Sequence, residues 1–336
     1  MSRHEPFVSV VTPVYNGETY LQECIESVLA QTYTNWDYTI VNNCSTDRTL
    51  EIAQRYSSRE PRIRIHNNET FVRVNENHNI SFRQIAPQSE YCKVVAADDW
   101  LFPECIEKMV DLAEKHPSVA IVGAYGLYSE ASYGVGWVGL PYPSTVVPGG
   151  REACRLRLLG GPTVFGTPTS VLYRSDIVSS RHAFFNESNI HSDLEACFEF
   201  LGNRDFGFVH QILTFRRMQE DSLTSLSKRL NTYLPGVLYE LVNYGSKYLS
   251  GDELKSRTKE HLRDYYRYLG KQIYTWPGRE FLSFHRGKLA EVGFPLSVWG
   301  LAFAAISYAL DLLLNPKATA EAVIRRLHRV ASGTSR

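Results

Sequence analysis

The chain has 336 residues, in which 36 Lys and Arg balance 36 Asp and Glu to a formal net charge of zero. Its 43% of apolar residues and 21% of charged residues are typical of a globular protein and exclude an intrinsically disordered chain. Because a neutral chain has no bulk basic field, we expect no nucleic-acid partner.

The cysteines and the N-terminus indicate the compartment. None of the six cysteines forms a C-x-x-C pair, and no tight His and Cys cluster has the spacing of a zinc site. Unpaired cysteines in apolar segments are typical of a reducing compartment. The first residues enter a strand pattern without the apolar stretch of a signal peptide. We therefore expect a cytoplasmic protein.

The first 125 residues alternate between strand and helix patterns. Apolar runs predict strands at 7–14, 36–41, 62–66, 91–97 and 118–125. Helical periodicity and capping residues predict helices at 17–31, 46–53, 75–85 and 103–116. This alternation predicts an α/β fold with a mostly parallel, Rossmann-like sheet that carries helices on both faces. Ligands bind beyond the carboxyl ends of such strands, here at the loops 12–17, 42–47 and 98–100.

The rest of the chain is less regular. Residues 126–150 are rich in Gly, Pro, Ser and Tyr, which predicts a loop. Further elements are predicted as strands at 168–173 and 206–215, a helix near 193–201, and helices through 227–292. Residues 294–314 are the most apolar run, and the tail that follows holds five Lys and Arg against one Glu.

Two polar loops at the predicted ligand edge contain candidate functional residues. Asp98 and Asp99 close a strand, and adjacent carboxylates can hold Mg²⁺ or Mn²⁺. An acidic pair equally suits the N-terminus of the helix that follows. Asn43 follows another strand, and its carboxamide can bond a nucleobase edge. Taken alone, that loop is more simply interpreted as an ordinary strand-to-helix turn.

Four motifs that occur in a fixed order indicate a protein family, although no single one of them is specific enough to do so. They are V-S-V-V-T-P-V-Y-N-G (8–17), S-V-L-A-Q-T-Y (27–33), I-V-N-N-C-S-T-D-R-T (40–49) and A-D-D-W (97–100). Together they resemble family-2 glycosyltransferases of the GT-A fold, densely over residues 7–125 and more weakly to about residue 225. The implied fold is a GT-A sheet with a C-terminal helical extension.

The resemblance implies a donor site. Pro13 and Tyr15 match the family's first nucleotide-contacting loop, and Asn43 falls where the family has an Asp that reads the nucleobase. Asp98 matches a nucleotide-binding position, and Asp99 resembles the direct ligand of Mg²⁺ or Mn²⁺. Asn79 resembles the Asn of the segment before the metal strand.

The resemblance also implies catalytic groups. Asp193 resembles the general base beside the acceptor, although an Asp there also suits a helix N-cap, and Glu187 and Glu195 are alternative bases. Arg216 and Arg217 resemble the mobile segment that closes over the pyrophosphate.

Three departures from the family pattern are visible in the sequence. The Asp pair after the second strand is Asn42 and Asn43, so a carboxamide without charge assistance would meet the base. The first Asp of the full D-x-D-D pattern is Ala96, and the His expected after the Arg pair is Met218. These changes give weight to a second hypothesis, a non-catalytic binding protein on a transferase fold.

The implied activity is metal-dependent, inverting transfer from a nucleotide sugar, foremost a UDP-sugar. The implied acceptor is a glycan or a lipid-linked molecule in the synthesis of surface polysaccharide or glycolipid. A nucleotidyltransferase would need a basic, Gly-rich phosphate loop after the first strand. The loop TPVYNGETY contains one Gly and no Lys or Arg, which disfavours this alternative class of enzyme.

Three domains are predicted. Residues 1–225 form the catalytic domain, 226–293 a helical extension, and 294–336 an apolar helix with a basic tail. The apolar run includes Asp311 and is marginal for a membrane span, so we expect a helix that lies on the cytoplasmic face of the membrane. The alternative is a helix packed on residues 227–292.

Overall fold

The computed structural model describes residues 5–130, 134–138, 149–218, 223–275 and 278–315. The chain divides into two compact units, Met1–Leu226 and Ser227–Arg336, which are described separately.

The first unit contains a mixed sheet with helices. Its strands are β1 (Val8–Val14), β2 (Trp36–Asn42), β3 (Ile63–Asn67), β4 (Tyr91–Val94), β5 (Trp100–Leu101), β6 (Val119–Glu130), β7 (Gly134–Val138), β8 (Val171–Arg174) and β9 (Asp205–Arg217). Its helices are α1 (Leu21–Leu29), α2 (Thr49–Ser57), α3 (Val74–Phe82), α4 (Cys105–Lys115), α5 (Gly150–Leu158), α6 (Ser175–Val178) and α7 (Ser192–Phe200), with a 3₁₀ turn at Pro168–Ser170.

The described strands form one sheet in the order β3-β2-β1-β4-β8-β6-β9-β5, and β7 pairs with β6. The pairs β3-β2, β2-β1, β1-β4 and β6-β9 are parallel. The pairs β4-β8, β8-β6, β9-β5 and β6-β7 are antiparallel. The predicted α/β fold is thus confirmed, with antiparallel pairs confined to the half that follows β4 in the sheet order.

The prediction for residues 126–150 was wrong. Residues 126–150 were expected to be a loop, but β6 continues to Glu130, β7 follows at Gly134–Val138, and α5 begins at Gly150. The physical reason is long-range pairing, because Gly126 and Ser129 lie in register with Thr214 and Arg217 of β9. Backbone hydrogen bonds to a distant strand outweigh a local composition that is typical of loops. Residues 139–148 lie outside the described residues.

The core explains why the N-terminal strands read as continuous apolar runs. Val8, Val10 and Val11 are fully buried, as expected for a parallel strand that is covered on both faces. Helix α1 buries Leu21, Cys24, Ile25 and Val28, which recur at helical spacing on one face.

The carboxyl ends of β1, β2 and β4 meet at one edge of the sheet. Val14 is in register with Asn42, and Val11 with Val94. The loop after β1 bonds to the loop after β2, since the backbone N–H of Asn16 donates to Ser45 Oγ at 3.0 Å and that of Thr46 donates to Asn16 Oδ1 at 2.9 Å. These bonds hold Asn16 at a φ of 49°, a conformation that non-glycine residues seldom adopt.

The second unit is helical. After α8 (Leu223–Leu230), which crosses the boundary, come α9 (Tyr233–Tyr248), α10 (Gly251–Ile273), α11 (Arg279–Glu291) and α12 (Val298–Leu314). Helix α12 approaches α10 closely at Gly270, where a Cβ atom would lie 2.7 Å from the backbone of Ala304. Tyr274 donates a hydrogen bond to the carbonyl of Ala305 at 2.9 Å.

Helix α12 buries none of its residues completely. Its exposed apolar side chains recur at four- and three-residue spacing along one face: Trp299, Phe303, Ile306, Leu310 and Leu313. Trp299 is 86% exposed and Phe303 is 76% exposed. Among the described residues, no helix has both the length and the apolar character that a membrane crossing requires.

Candidate functional site

A cavity of about 450 Å³ opens at the carboxyl edge of the sheet. Its lining residues come from the loops after β1, β2 and β4 and from α3: Pro13, Val14, Tyr15, Asn16, Gly17, Thr19, Tyr20, Asn43, Val74, Asn77, His78, Ala96, Ala97 and Asp98. The structure therefore brings together Pro13, Tyr15, Asn43 and Asp98, four of the residues singled out from the sequence. Asp99, Asp193, Arg216 and Arg217 are not part of this lining.

An aromatic pair borders the cavity. Tyr15 and Phe71 meet edge to face with ring centroids 4.8 Å apart, and their side chains are 49% and 61% exposed. Phe71 lies in the loop between β3 and α3, and no local motif marked it as functional. Exposed aromatic rings next to a cavity provide a surface on which a nucleobase can stack.

Asn43 is buried and its carboxamide is bonded to the loop that carries Phe71. Val72 pairs with it twice, through a backbone N–H to Oδ1 at 3.0 Å and a carbonyl that accepts from Nδ2 at 2.8 Å. Asn68 Nδ2 also donates to Asn43 Oδ1, at 2.9 Å. Asn43 thus holds the loop that carries Phe71 and is itself part of the cavity lining.

Helix α3 supplies two polar cavity residues that the sequence reasoning missed, Asn77 and His78. The carbonyl of Val74 accepts a hydrogen bond from His78 Nδ1 at 2.9 Å, which leaves Nε2 as an acceptor in the neutral ring. Burial lowers the pKa of His78 and favours that neutral form. The available signal was the lack of an apolar stripe in V-N-E-N-H-N, which is unusual for a helix beside a sheet.

Asp99 is the sequence neighbour of the cavity residue Asp98 and is buried with both carboxylate oxygens hydrogen-bonded. Its Oδ2 accepts from Thr169 Oγ1 at 2.6 Å, and its Oδ1 accepts from the backbone N–H of Arg217 at 3.0 Å. Thr169 is held in turn by the N–H of Ala96, which donates to its hydroxyl at 3.1 Å. Burial, reinforced by the negative charge of Asp98, raises the pKa of Asp99.

The donor set at this point fits a hard cation. Within the described residues, no group of three or more His, Cys, Asp and Glu side chains is arranged to hold a metal ion. Mg²⁺ and Mn²⁺ need few protein ligands, since Mg²⁺ is commonly bound by one or two carboxylates together with substrate phosphates. Asp98 borders the cavity, and each Asp99 oxygen retains a second lone pair after its hydrogen bond.

The two arginines that end β9 lie in different environments. The guanidinium of Arg217 pairs with Glu23 at 2.6 Å and stacks on the ring of Tyr20 at 4.1 Å. Its Nε donates to the carbonyl of Asp98 at 3.3 Å, so Arg217 fixes the acidic loop to α1. The guanidinium of Arg216 lies 5.6 Å from the ring of Tyr128 in β6.

Asp193 lies in the first turn of α7 and is largely buried. Burial raises the pKa of its carboxyl to about 6, although backbone N–H groups and the positive charge of Arg216 lower it in part. The same guanidinium also lowers the pKa of Asp99. The positive charge of Arg216 thus acts on both carboxyl groups, although they are separated by almost a hundred residues in the chain.

The loop before Asp193 is positioned by α3. Asn79 bonds to both backbone groups of Phe185, each at 2.8 Å, and Asn75 donates to the carbonyl of Asn189 at 2.7 Å. Glu195 accepts from Asn189 Nδ2 at 2.8 Å, which gives this alternative base a structural contact. Asn79 thus links the cavity helix to the segment that leads into Asp193.

Comparison with known proteins agrees with the resemblance that the four sequence motifs indicate. The model of the family described as "Glycosyl transferase family 2" matches residues 9–181. EpsE of Bacillus subtilis (strain 168) is 38% identical over 121 residues, 35% of this chain and 42% of EpsE. TuaG of the same organism, named for teichuronic acid biosynthesis, is 27% identical over 132 residues, 39% of this chain and 51% of TuaG. The matched segments thus cover less than two thirds of these relatives.

Solved structures share the fold at low sequence identity. TarS of S. aureus (residues 1–349), in complex with UDP-GlcNAc, matches 85% of this chain and 80% of its own with a TM-score of 0.62 and 16% identity. The mannosyltransferase PcManGT of Pyrobaculum calidifontis, in complex with GDP-Man and Mn²⁺, matches 94% of this chain and 83% of its own with a TM-score of 0.55 and 13% identity. Since the family model covers more than half of the chain, this protein belongs to glycosyl transferase family 2.

Proposed function

We propose that the protein transfers a sugar from a nucleoside-diphosphate donor to a hydroxyl of a glycan or lipid-linked acceptor, with inversion at the anomeric carbon. The observation that carries this proposal is the placement of Asn43 and Asp98 in the lining of one cavity. Asn43 and Asp98 follow β2 and β4, which lie on either side of β1, so they stand about 10 Å apart at two strand spacings. That separation suits a base at one end and a diphosphate at the other.

The donor proposed from the sequence is a UDP-sugar. TarS binds UDP-GlcNAc and PcManGT binds GDP-Man, which supports a nucleotide sugar without choosing the base. The name of TuaG supports a role in polysaccharide synthesis. In this proposal residues 1–225 are the catalytic domain and residues 226–293 a helical extension.

The leaving group is a diphosphate, so charge must be neutralised as the bond from its oxygen to the sugar C1 breaks. Asp98 and Asp99 would hold Mg²⁺ or Mn²⁺, which supplies positive charge at the diphosphate when bound. Arg216 adds a second positive charge. Arg217 orients the Asp98–Asp99 loop through its bonds to that loop and to Glu23.

Asp193 is the proposed general base. It takes the proton of the acceptor hydroxyl while the hydroxyl oxygen attacks C1 from the face opposite the leaving diphosphate. A single displacement of this kind inverts the anomeric centre. The raised pKa of about 6 leaves the carboxylate ionised at neutral pH and makes it a stronger base than an exposed Asp.

A thermal-shift panel tests the donor proposal. UDP, GDP, dTDP and CDP are each added with and without Mn²⁺, and a ligand that binds only the native state raises the apparent Tm by mass action. We expect at least one nucleotide to raise the Tm, and Mn²⁺ to enlarge the shift. No response to any nucleotide contradicts the proposal, whereas binding without sugar transfer to any acceptor favours a non-catalytic binding protein.

Thr169 gives a prediction for the cation site. Thr169→Val keeps the side-chain shape but leaves Asp99 Oδ2 and the Ala96 N–H without their partner, at a cost of about 1–3 kcal/mol. We expect a higher Mn²⁺ concentration for half-maximal UDP binding, and Thr169→Ser should restore the wild-type value. A folded Thr169→Val protein with an unchanged Mn²⁺ requirement would show that the hydroxyl does not position Asp99.

Residues 294–336 are proposed to hold the protein on an anionic, cytoplasmic membrane surface. The apolar face of α12 ends in Trp299 at its N-terminal end, and the sequence that follows the helix is basic. Apolar side chains in the interface and Lys or Arg near anionic headgroups act together in such attachment.

Vesicle sedimentation measures this attachment. The full chain is expected to bind vesicles of phosphatidylcholine and phosphatidylglycerol. Trp299→Asp is expected to weaken binding about tenfold or more, because the indole would no longer be buried in the lipid interface. Val242→Asp, at a 43% exposed apolar residue of α9, is the matched control and should bind normally. Equal vesicle binding by both variants contradicts the membrane proposal. A full chain that forms a dimer and does not bind vesicles also contradicts it.

A further inference from the structure

The orientation of the Asn43 carboxamide is fixed by its neighbours. Val72 presents an N–H to Oδ1 and a C=O to Nδ2, so a flipped amide would place two donors and two acceptors against each other. An aspartate could accept from the Val72 N–H but could not donate to its carbonyl. An amide at this position therefore satisfies both backbone groups of Val72, and a carboxylate satisfies one of them.

The acceptor capacity of Asn43 is used within the protein. Its Oδ1 accepts from the Val72 N–H and from Asn68 Nδ2, which fills both lone pairs. Asn68 is itself held in place, because its Nδ2 also donates to Asn77 Oδ1 at 2.9 Å. Of the two Nδ2 hydrogens of Asn43, one bonds to Val72. Among its described contacts, the remaining capacity of Asn43 is one N–H donor.

Asn43 lines the cavity beside Tyr15, at the end away from Asp98. A base stacked against Tyr15 and Phe71 would present its edge to this donor. Uracil carries a donor at ring position N3, whereas cytosine carries an acceptor there, and both carry the carbonyl O2. A donor-only amide can bond to acceptors of either base and cannot receive the N3–H of uracil.

We propose that Asn43 meets the base of the donor nucleotide as a hydrogen-bond donor, so that the site does not read the imide N–H of uracil and binds uridine and cytidine nucleotides alike. This inference rests on the proposed nucleotide-sugar function. It makes Asn43 a specificity-determining residue whose identity is set by the loop that it holds.

Isothermal titration of UDP and CDP in the presence of Mn²⁺ tests the inference. Wild-type protein is expected to bind the two with dissociation constants within about threefold of each other. Asn43→Asp adds an acceptor for N3–H, so the ratio is expected to move toward UDP by about tenfold, the scale of one hydrogen bond to a charged group. Both affinities are expected to fall, because the Val72 carbonyl loses its donor, but the ratio is independent of that shared loss.

Asn42→Asp is the matched control. Its carboxamide bonds to Asn67 and to the Ser45 N–H and is not part of the cavity lining, so its ratio should stay at the wild-type value. A wild-type preference for UDP above about tenfold, or an unchanged ratio in Asn43→Asp, overturns the inference while leaving the proposed function intact. If neither nucleotide binds the wild-type protein, the proposed function and the inference both fail.

Discussion

Asp193→Asn is expected to lower kcat for sugar transfer by about 10²–10⁴, the range for the loss of a general base, while donor affinity changes by less than about twofold. The amide keeps the size of the side chain but cannot take the acceptor proton. Asp193 is not part of the donor cavity, which is why donor affinity should be preserved. Transfer is measured with labelled nucleotide sugar, and donor binding by titration calorimetry.

The pH dependence of kcat/KM provides a second readout for Asp193. Burial raises the pKa of its carboxyl to about 6, so the base is ionised above that pH and becomes protonated below it. Transfer should therefore decline as the pH falls through about 6. Asp176→Asn, at an exposed ion pair with Arg204, is the matched control and should retain wild-type kcat. Wild-type kcat in Asp193→Asn, or a large loss only in Glu195→Gln, would assign the base elsewhere.

Asp99→Asn is expected to raise the Mn²⁺ concentration that donor binding requires by about 100-fold or more. Changes to residues that only orient metal ligands cost about 10–100-fold, and removal of a ligand charge should exceed that range. The amide also faces the Thr169 hydroxyl and the Arg217 N–H, so the Tm of the variant must be measured alongside.

Two comparisons make the Asp99 result interpretable. Asp98→Asn removes the carboxylate that borders the cavity and should reproduce the loss if both acids hold the cation. Asp264→Asn removes an exposed acid from α10 and should change nothing, because its ion pair with Arg267 lies on the helix surface. If Asp99→Asn retains wild-type Mn²⁺ dependence, the buried carboxylate is structural, and its hydrogen bonds to Thr169 and Arg217 are its role.

The sequence was informative wherever the signal is local. The strands at 7–14 and 36–41 appear in the structure as β1 and β2 within one residue of the predicted bounds, since parallel strands buried on both faces leave continuous apolar runs. Helix α1 was predicted from the helical spacing of its apolar residues along one face. The ordered motifs were sufficient to predict the family, and the family model confirmed it.

The sequence failed where a partner strand decides the conformation. Residues 126–130 have a loop-like composition but extend β6, because β9 lies alongside them in parallel register. Strand propensity measures how well a residue fits a sheet surface, and that surface is supplied by residues far away in the chain. No window of local sequence contains this information.

By itself, the sequence determined the α/β core, the carboxyl edge at which the cavity opens, and the acidic, amide and aromatic residues placed there. Only the tertiary structure decided which partners those groups have. Asn43 is hydrogen-bonded to Val72, Asp99 is hydrogen-bonded to Thr169, and Arg217 forms an ion pair with Glu23. Thr169 is 70 residues from Asp99, and Glu23 is 194 from Arg217. The physical reason is that periodicity and spacing are local properties, whereas hydrogen-bond capacity and carboxyl pKa depend on neighbours that folding brings into contact.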